Sequence, residues 1–407
     1  MMSSAPDRRA SVGIYMPFFS PNRGGPDLTA MWLIQALCFR YDVTLITTRQ
    51  FDLGYFNRFT GTNLSSKDFR IRSLPSLPSP PSAPMSALQG PLFQRLATRC
   101  AKDFDLNISA MNTLDFGVRA MHFLADLNWL GATIAPAADS PPTMHRSALR
   151  KIYHRLCLGL YKESGRDSLR LDVLVSNSQW VASALRELGV DSPVIYPPVP
   201  LVPFAIRWED KRPDFVWIGR ITPSKRLEVA INIVGRLRQA GLDCKLHVVG
   251  NTIDKSYETR IRELARSKGG WVILEGPLYG SEKARFLSQF RYAIHTQVNE
   301  AFGITLVELL KSGCILFGPD SCGGAEIIDH DDLLFSSEEE AAGKILRAIN
   351  DPEKLEALRS HLRERAARYS SDHFCNSVQH LVAQMLEEQA DVFISSKSPI
   401  EIGAGAS

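Results

Sequence analysis

The sequence predicts an α/β protein made of two parallel-sheet domains, and three observations carry that expectation. At 407 residues the chain is longer than one hydrophobic core usually organises. Short apolar, strand-like runs alternate with amphipathic helical stretches from Val12 onward, which is how βαβ units read. The alternation is interrupted by Pro197, Pro198 and Pro200, a stiff crossing, and begins afresh at Asp214.

Composition excludes more than it selects. An apolar share of 44% and a charged share of 22% are those of a soluble globular enzyme, and a net charge of +3 gives no reason to expect nucleic acid as a partner. The seven cysteines form no CxxC pair and no Cys/His metal spacing, so they read as buried, reduced thiols of a cytosolic protein. The N-terminal apolar run is broken by Gly13 and Pro17 and does not read as a signal peptide. The window 120–138 carries His122, Asp126 and Asn128 and fails as a membrane span.

Taken in order, Val12–Met16 reads as a buried strand that ends at Pro17. A loop containing Gly24 and Gly25 follows, then a helix opened by Pro26 with Leu28, Trp32, Ala36 and Leu37 on its apolar face, then the strand Val43–Thr47. A glycine pair lets backbone approach a group bound at a helix N-terminus, although a plain turn is the simpler reading of the pair. The spacing is not GxGxxG, which counts against a nicotinamide-dependent oxidoreductase. Leu74–Pro91 is proline-rich and reads as an exposed, semi-extended loop. Leu106–Ala110 and Ala120–Leu124 are strand-like, and His122 in so apolar a setting reads first as a core histidine. Ala148–Glu163 is a basic amphipathic helix, either a solvated face or a surface for lipid headgroups. The strand Leu171–Ser176 and the helix Asn177–Leu188 close this half.

The second half opens with the strand Asp214–Gly219. Arg220 and Lys225 flank the turn into a long amphipathic helix. Two cations at a strand end suit a diphosphate, with Arg binding as a fork, while both would also pass as surface charges. Strands follow at Lys245–Gly250 and Trp271–Gly276, with helices at Glu258–Ser267 and around Glu282–Gln289. The stretch Asn299–Gly313, NEAFGITLVELLKSG, organises the remainder. It begins as a polar loop after the apolar run Tyr292–Thr296, becomes a short apolar helix and ends at Gly313 as a C-cap. Phe302, Gly303 and Ile304 bring backbone N–H groups to the helix start, where an anion is favoured. Glu300 and Glu308 add carboxylates able to accept from sugar hydroxyls. Thr305-x-x-Glu308 also fits a capping box, which would make Glu308 structural. Asp329-His330-Asp331-Asp332 mimics a metal-binding DxD motif. It falls in a turn between the short helix Ala325–Ile328 and the strand Leu333–Phe335, where charged residues face water, so no metal is expected there.

Glu300-x7-Glu308, followed by a Gly-closed helix and the apolar strand Cys314–Phe317, resembles the hallmark of retaining glycosyltransferases of the GT-B fold, closest to family 4 (glycosyl transferases group 1). Gly219-Arg220 with Lys225 is similar to that family's phosphate pair. The segment around His122 is similar to the one that carries its histidine near the sugar, here with Met121 and Phe123 as neighbours and without the usual proline. The resemblance runs over roughly residues 10–390 of the chain. It implies two Rossmann-like domains facing across a cleft: an acceptor domain, 10–197; a nucleotide-sugar domain, 201–370; a helix crossing back, 371–390; and a disordered tail, 391–407.

The resemblance also implies transfer of a sugar from a nucleotide-diphosphate donor to a hydroxyl of a glycan, lipid-linked or small-molecule acceptor, with retention and with no cofactor. The setting would be cytoplasmic, with peripheral membrane contact as an alternative. Arg220 and Lys225 would hold the leaving diphosphate, Glu300 the sugar hydroxyls, Glu308 the ribose, and His122 would stand near the sugar. Gly24 and Gly25 would approach the diphosphate and acceptor. Gly219, Gly250, Phe302, Gly303, Ile304 and Thr305 would line the donor, with Pro277 and Leu278 beside the base. DFGVRAMHF and NEAFGITLVE are most similar to the lipid-linked oligosaccharide mannosyltransferase branch, which favours GDP-mannose over a UDP-sugar. A non-catalytic nucleotide-sugar binder and the oxidoreductase remain as other readings.

Overall fold

The structure is a computed structural model that describes residues 8–20, 24–76, 89–127, 172–252 and 254–397. Two six-stranded sheets, parallel in every pairing, form its two domains. The first holds β1 (Ser11–Tyr15), β2 (Asp42–Thr47), β3 (Arg70–Ser73), β4 (Leu106–Ser109), β5 (Met121–Phe123) and β6 (Val173–Val175), in the order β3-β2-β1-β4-β5-β6. The second holds β7 (Arg212–Ile218), β8 (Leu246–Val249), β9 (Val272–Gly276), β10 (Phe290–Ile294), β11 (Ile315–Pro319) and β12 (Leu334–Phe335), in the order β12-β11-β10-β7-β8-β9. The two orders are the same pattern. Each reverses direction at its first strand, beside β1/β4 and β7/β10, and doubly wound sheets bind ligands outside the carboxyl ends of the strands at that point.

Apart from the edge strand β3, the strands are largely apolar because helices cover both faces of a parallel sheet. Val12, Ile14 and Tyr15 in β1 and Phe215, Val216 and Trp217 in β7 are buried. Each large apolar side chain so buried contributes about 1.5–3 kcal/mol. Between β1 and β2 runs α1 (Gly25–Leu37), with Pro26 in its first turn, where a missing N–H costs nothing. Among the described residues the N-terminal domain also holds α2 (Leu53–Thr60), α3 (Gln89–Cys100) and α4 (Gln179–Arg186), pieces with weaker sequence signals. The C-terminal domain carries α5 (Leu227–Gln239), α6 (Lys255–Ser267), α7 (Gly280–Leu287), α8 (Ile304–Lys311), α9 (Cys322–Ile328), α10 (Glu338–Ile349) and α11 (Pro352–Ala367).

The last helix, α12 (Ser371–Lys397), leaves the C-terminal domain and packs on α1 with Phe374, Val378, Val382 and Met385 inside the N-terminal core. Gln379 Nε2 donates to the Ala36 carbonyl at 2.7 Å, and Arg119 pairs with Glu388 at 2.8 Å. This helix continues beyond residue 390. The expectation of a disordered tail from 391 is therefore corrected over 391–397, and residues 398–407 lie outside the described ones. Residues 77–88 of the proline-rich loop and the basic stretch 148–163 also lie outside them. Of the six described cysteines, Cys38, Cys244 and Cys314 are buried and Cys100, Cys322 and Cys375 are half-buried. Among the described residues no helix is long and apolar enough to cross a membrane.

Candidate functional site

The carboxyl ends of β7 and β10 sit side by side at the switch point, and Gly219, Arg220, Lys225 and Glu300 lie there. β7 runs into Gly219 and exposed Arg220, then a single 3-10 turn, Pro223–Lys225. Two hydrogen bonds through Thr296, just past the end of β10, tie β7 and that turn together. Trp217 Nε1 donates to Thr296 Oγ1 at 3.1 Å, and Thr296 Oγ1 donates to the Lys225 carbonyl at 2.6 Å. The Lys225 ammonium thereby reaches Glu300, Nζ to Oε2 2.8 Å, in a pair whose side chains are 15% and 17% exposed. Burial pushes the Glu300 carboxyl up, but the Lys225 ammonium, through its charge and its hydrogen bond, and the Arg220 charge outweigh it and hold the group below its ordinary range.

His295, the residue after β10, was not anticipated from the sequence. It is buried, its Nε2 has no hydrogen-bond partner, and that atom lies 3.8 Å from Glu300 Oε2. Burial first, and the Lys225 charge second, push its pKa down to about 4. At neutral pH it is therefore an uncharged ring behind the Lys225–Glu300 pair. The available signal was a polar ring ending the apolar run YAIHT directly before the glutamate loop.

Backbone approach completes the floor. A Cβ on Gly250 would stand 1.8 Å from the Gly219 carbonyl oxygen, so only glycine lets the ends of β7 and β8 meet this closely. Pro277 and Leu278 follow β9 at the same end of the sheet, just before α7.

The helix α8 starts at N-cap Gly303, in the left-handed region with no side-chain cap. This overturns the capping-box alternative. Thr305 already lies inside the helix, and Glu308 falls in the second turn, too far along to reach the N-cap amide. Its Oε1 instead meets Lys283 Nζ of α7 at 2.5 Å. Lys283 is a second residue absent from the sequence-based site, and nothing in its local sequence marks it. Gly313 closes α8 as expected: its N–H donates to Leu310 at 2.9 Å and that of Cys314 to Leu309 at 3.1 Å, the double bond of a Schellman cap.

The N-terminal domain reaches this site through Gly25, while Ile304 also packs on the N-terminal core and Ala301 on the cluster around Leu124. A Cβ on Gly25 would lie 3.2 Å from Ile304 Cδ1, so the Gly24-Gly25 entry to α1 faces Phe302–Thr305 across the cleft. His122 is placed differently. It lies in β5 fully buried, with Nε2 3.1 Å from Asp172 Oδ2, Nδ1 accepting from the Leu114 amide at 3.4 Å, and its ring stacked on Phe116. These partners all belong to the N-terminal domain, and none is part of the Lys225–Glu300 cluster.

The DxD-like turn follows the C-terminal end of α9, whereas the N-terminal end of α9 adjoins the Glu300 loop through Gly323 N–H donating to the Glu300 carbonyl at 2.9 Å. Asp329 pairs with Arg365 at 3.0 Å and Asp332 with Lys354 at 2.8 Å. Among the described residues no group of three or more His, Cys, Asp or Glu side chains is arranged to hold a metal ion.

Two doubly wound domains across a cleft, with cations and carboxylates gathered at one switch point, define the GT-B architecture. Solved structures agree on the fold. HepE of Anabaena, in complex with UDP-glucose, superposes with a TM-score of 0.66 at 14% identity, covering 92% of this chain and all of that one. WaaG, a glycosyltransferase involved in lipopolysaccharide biosynthesis, superposes with a TM-score of 0.62 at 15% identity, covering 90% of this chain and 98% of that one.

A more particular likeness comes from sequence: residues 201–367 match the family model of glycosyl transferases group 1. Curated relatives are named GDP-Man:Man(3)GlcNAc(2)-PP-Dol alpha-1,2-mannosyltransferase. That of Dictyostelium discoideum is 25% identical over 262 residues, 58% of this chain and 51% of its own length; that of Homo sapiens is 26% identical over 254 residues, 56% and 51%. The chain spans about half the length of these relatives. It carries a glycosyltransferase domain.

Proposed function

We propose that this protein transfers mannose from GDP-mannose to a hydroxyl of a glycan or lipid-linked glycan acceptor, with retention at the anomeric carbon. The observation that carries the reading is the Lys225–Glu300 pair, held half-dry at the switch point of a glycosyl transferases group 1 domain. There a cation faces a leaving diphosphate and a carboxylate faces sugar hydroxyls. The names of the curated relatives support mannose and guanine over other donors.

In this reading Arg220 and Lys225 neutralise the charge that builds on the diphosphate as the C1–O bond breaks. The acceptor oxygen bonds to C1 from the face the diphosphate leaves, and its proton passes to the departing phosphate oxygen. Glu300 accepts from hydroxyls of the transferred sugar, so Lys225 lies between it and the phosphate. Glu308, beside Lys283, accepts from the ribose. Gly219, Gly250 and the backbone of Phe302–Thr305 line the donor, Pro277 and Leu278 lie against the base, and Gly24-Gly25 closes the site from the acceptor side. His122 acts from within its own domain, holding β5 and the segment near Leu114 in place beside the sugar. A cytoplasmic setting at the membrane surface goes with a lipid-linked acceptor.

The test is incubation with GDP-mannose, UDP-glucose and UDP-N-acetylglucosamine in separate reactions with a mannosylated lipid-linked oligosaccharide. Release of GDP with formation of an α-linked product, read by NMR, is the expected result. Turnover of a UDP-sugar alone would overturn the donor, and a β-linked product would overturn retention. Tight nucleotide binding with no turnover of any donor would favour the non-catalytic binder.

A further inference from the structure

Glu326 does not serve its own helix. It projects from α9 to the other domain, where Oε1 accepts from the Gln179 amide and Oε2 from the Trp180 amide, each at 3.1 Å. Those are the first two N–H groups of α4, donors with no partner inside the helix. The next, Val181 N–H, is taken by N-cap Ser178 Oγ at 3.1 Å. The first turn of α4 is thus capped jointly, by its own serine and by a carboxylate from the opposite domain, which also meets the positive end of the helix dipole. Tyr196, on the crossing between the domains, donates its hydroxyl to the same carboxylate at 2.6 Å.

The contact leads back to the donor loop by two routes. The first is α9 itself. Gly323 in its first turn approaches the Glu300 loop so closely that a Cβ there would stand 1.9 Å from the Ala301 carbonyl oxygen. The other end of α9 is held by Arg365, which donates to the Glu326 and Ile327 carbonyls and pairs with Asp329. The second route is aromatic. The Tyr196 ring stacks on Phe302, 5.9 Å between centroids and 29° between planes, and Tyr369 packs edge-on against both, at 5.1 and 5.6 Å. Tyr369 lies on the return crossing between α11 and α12, and Phe302 immediately precedes Gly303. Both interdomain crossings and the donor loop therefore share one aromatic cluster, directly beside the carboxylate that joins the domains.

We propose that Glu326 and Tyr196 are positioning residues for the transfer reaction: with α4 capped by Glu326, Tyr196 backs Phe302 and sets the Phe302–Ile304 loop against the opposite domain. The inference rests on the functional reading above. Neither residue touches the reacting atoms in it. They fix the distance between the donor, held by the C-terminal domain, and the Gly24-Gly25 entry of α1. A misplacement of about 1 Å there costs on the order of a hundredfold in rate.

The experiment uses Glu326→Gln, Tyr196→Phe and the double variant in the full chain. Tyr196→Phe keeps the ring against Phe302 and removes only the hydroxyl, so it serves if Glu326→Gln folds poorly. Three readouts are taken: kcat with the wild-type donor, Kd for whichever of GDP and UDP the wild type binds, and the radius of gyration from small-angle X-ray scattering. The expected result is a kcat lowered about tenfold to a hundredfold, a nucleotide Kd within about twofold of wild type, an enlarged radius of gyration, and a double variant no worse than the poorer single one because the two act as a unit. A kcat within about twofold of wild type, or a nucleotide Kd that worsens in step with kcat, would overturn the proposal. If the wild type turns over no donor, the functional reading fails by itself, and the scattering still decides this one: unchanged compactness in both single variants refutes it, and expansion in both upholds the coupling.

Discussion

The two domains share one strand order but place different chemistry at its switch point. In the C-terminal domain the ends of β7 and β10 hold opposite charges already paired, Lys225 with Glu300, and α8 adds Glu308 with Lys283. In the N-terminal domain the segments after β1 and β2 are aromatic. Phe19 stacks on Phe51 at 4.3 Å, Tyr55 lies parallel to Phe59 at 6.1 Å, and Phe59 reaches Tyr279 of the other domain at 6.5 Å. One topology thus says where a ligand sits but not what is recognised. A wall of paired charges suits the diphosphate and hydroxyls of the donor. Aromatic faces suit the apolar faces of a sugar or lipid acceptor.

The largest effect should come from breaking the charged side of this contrast. Lys225→Ala and Arg220→Ala are each expected to lower kcat/KM by about 10²–10³, equivalent to roughly 2.7–4 kcal/mol of lost transition-state stabilisation. The loss should be the same whatever the acceptor. Phe59→Leu, in the aromatic side, should instead raise the acceptor KM and spare the donor. Kinetics with two acceptors decides the matter: an acceptor-dependent loss in Lys225→Ala would erase the division of labour.

The next effect is one of stability, and it should be confined to the C-terminal domain. His295 has a folded pKa of about 4, against an ordinary value of 6.5. Between those values the unfolded chain holds a proton that the folded chain does not, so stability falls as pH falls from 6.5 towards 4, by up to about 1.4 kcal/mol per pH unit. Glu300, held below its ordinary 4.5, adds loss in the same direction at still lower pH. His295→Gln should flatten the limb between pH 6.5 and 4 in a Tm titration. Hydrogen exchange at pH 5 should show the loosening around β7 and β10 and not in the N-terminal sheet. An unchanged acid limb in the variant would assign the loss to other groups.

The contrast also explains how much of the molecule is legible in the sequence. All six strands of the C-terminal sheet, and five of the six in the N-terminal sheet, appear as apolar runs because a parallel sheet is buried on both faces. The exception, β3, is short and carries arginines on an edge strand, so its burial is too slight to leave an apolar run. The helix α11 is equally hard to read, since its charged sequence buries only Leu358, Leu362, Arg365 and Ala366. In the site, Glu300, Arg220 and Lys225 are readable because they follow strand ends at fixed spacing. Lys283, His295 and Glu326 acquire their partners from residues 25 to 147 positions away or from loops that fold beside them. No local pattern encodes such pairings. Glu308 is readable as a functional candidate only beside an equally good cap, and the N-cap at Gly303 removes the cap.

A smaller effect tests the second charged pair. If Glu308 receives the ribose, Glu308→Gln should weaken nucleotide binding by about tenfold, the loss of one charge-assisted hydrogen bond worth roughly 1.5 kcal/mol. Because the structure gives it no capping role, α8 should keep its stability and Tm should move by no more than about 1–2 °C. Calorimetric titration with GDP alongside a melting curve separates the two. Unaltered GDP affinity would place the ribose elsewhere.

The smallest expected effect is none, on removing divalent metal. The DxD-like turn is the one feature that would blur the charged side of the contrast, because a metal held there would take over the work of Arg220 and Lys225. Its carboxylates already have cations: Asp329 pairs with Arg365 and Asp332 with Lys354. They also lie beyond the far end of α9 from the Glu300 loop. A Mg²⁺ or Mn²⁺ ion that neutralises a leaving diphosphate must share oxygens with it and draw at least one or two protein carboxylates to that spot. Glu300 is engaged by Lys225 and Glu308 by Lys283, so recruiting either would mean breaking an ion pair that the donor itself can use. Turnover in excess EDTA is therefore expected to stay within about twofold of that with added Mg²⁺, and an Asp331→Asn variant to behave as wild type. Loss of activity in EDTA, recovered with Mn²⁺ and absent in the variant, would move the electrostatic catalyst from the two cations of the C-terminal domain to a bound ion.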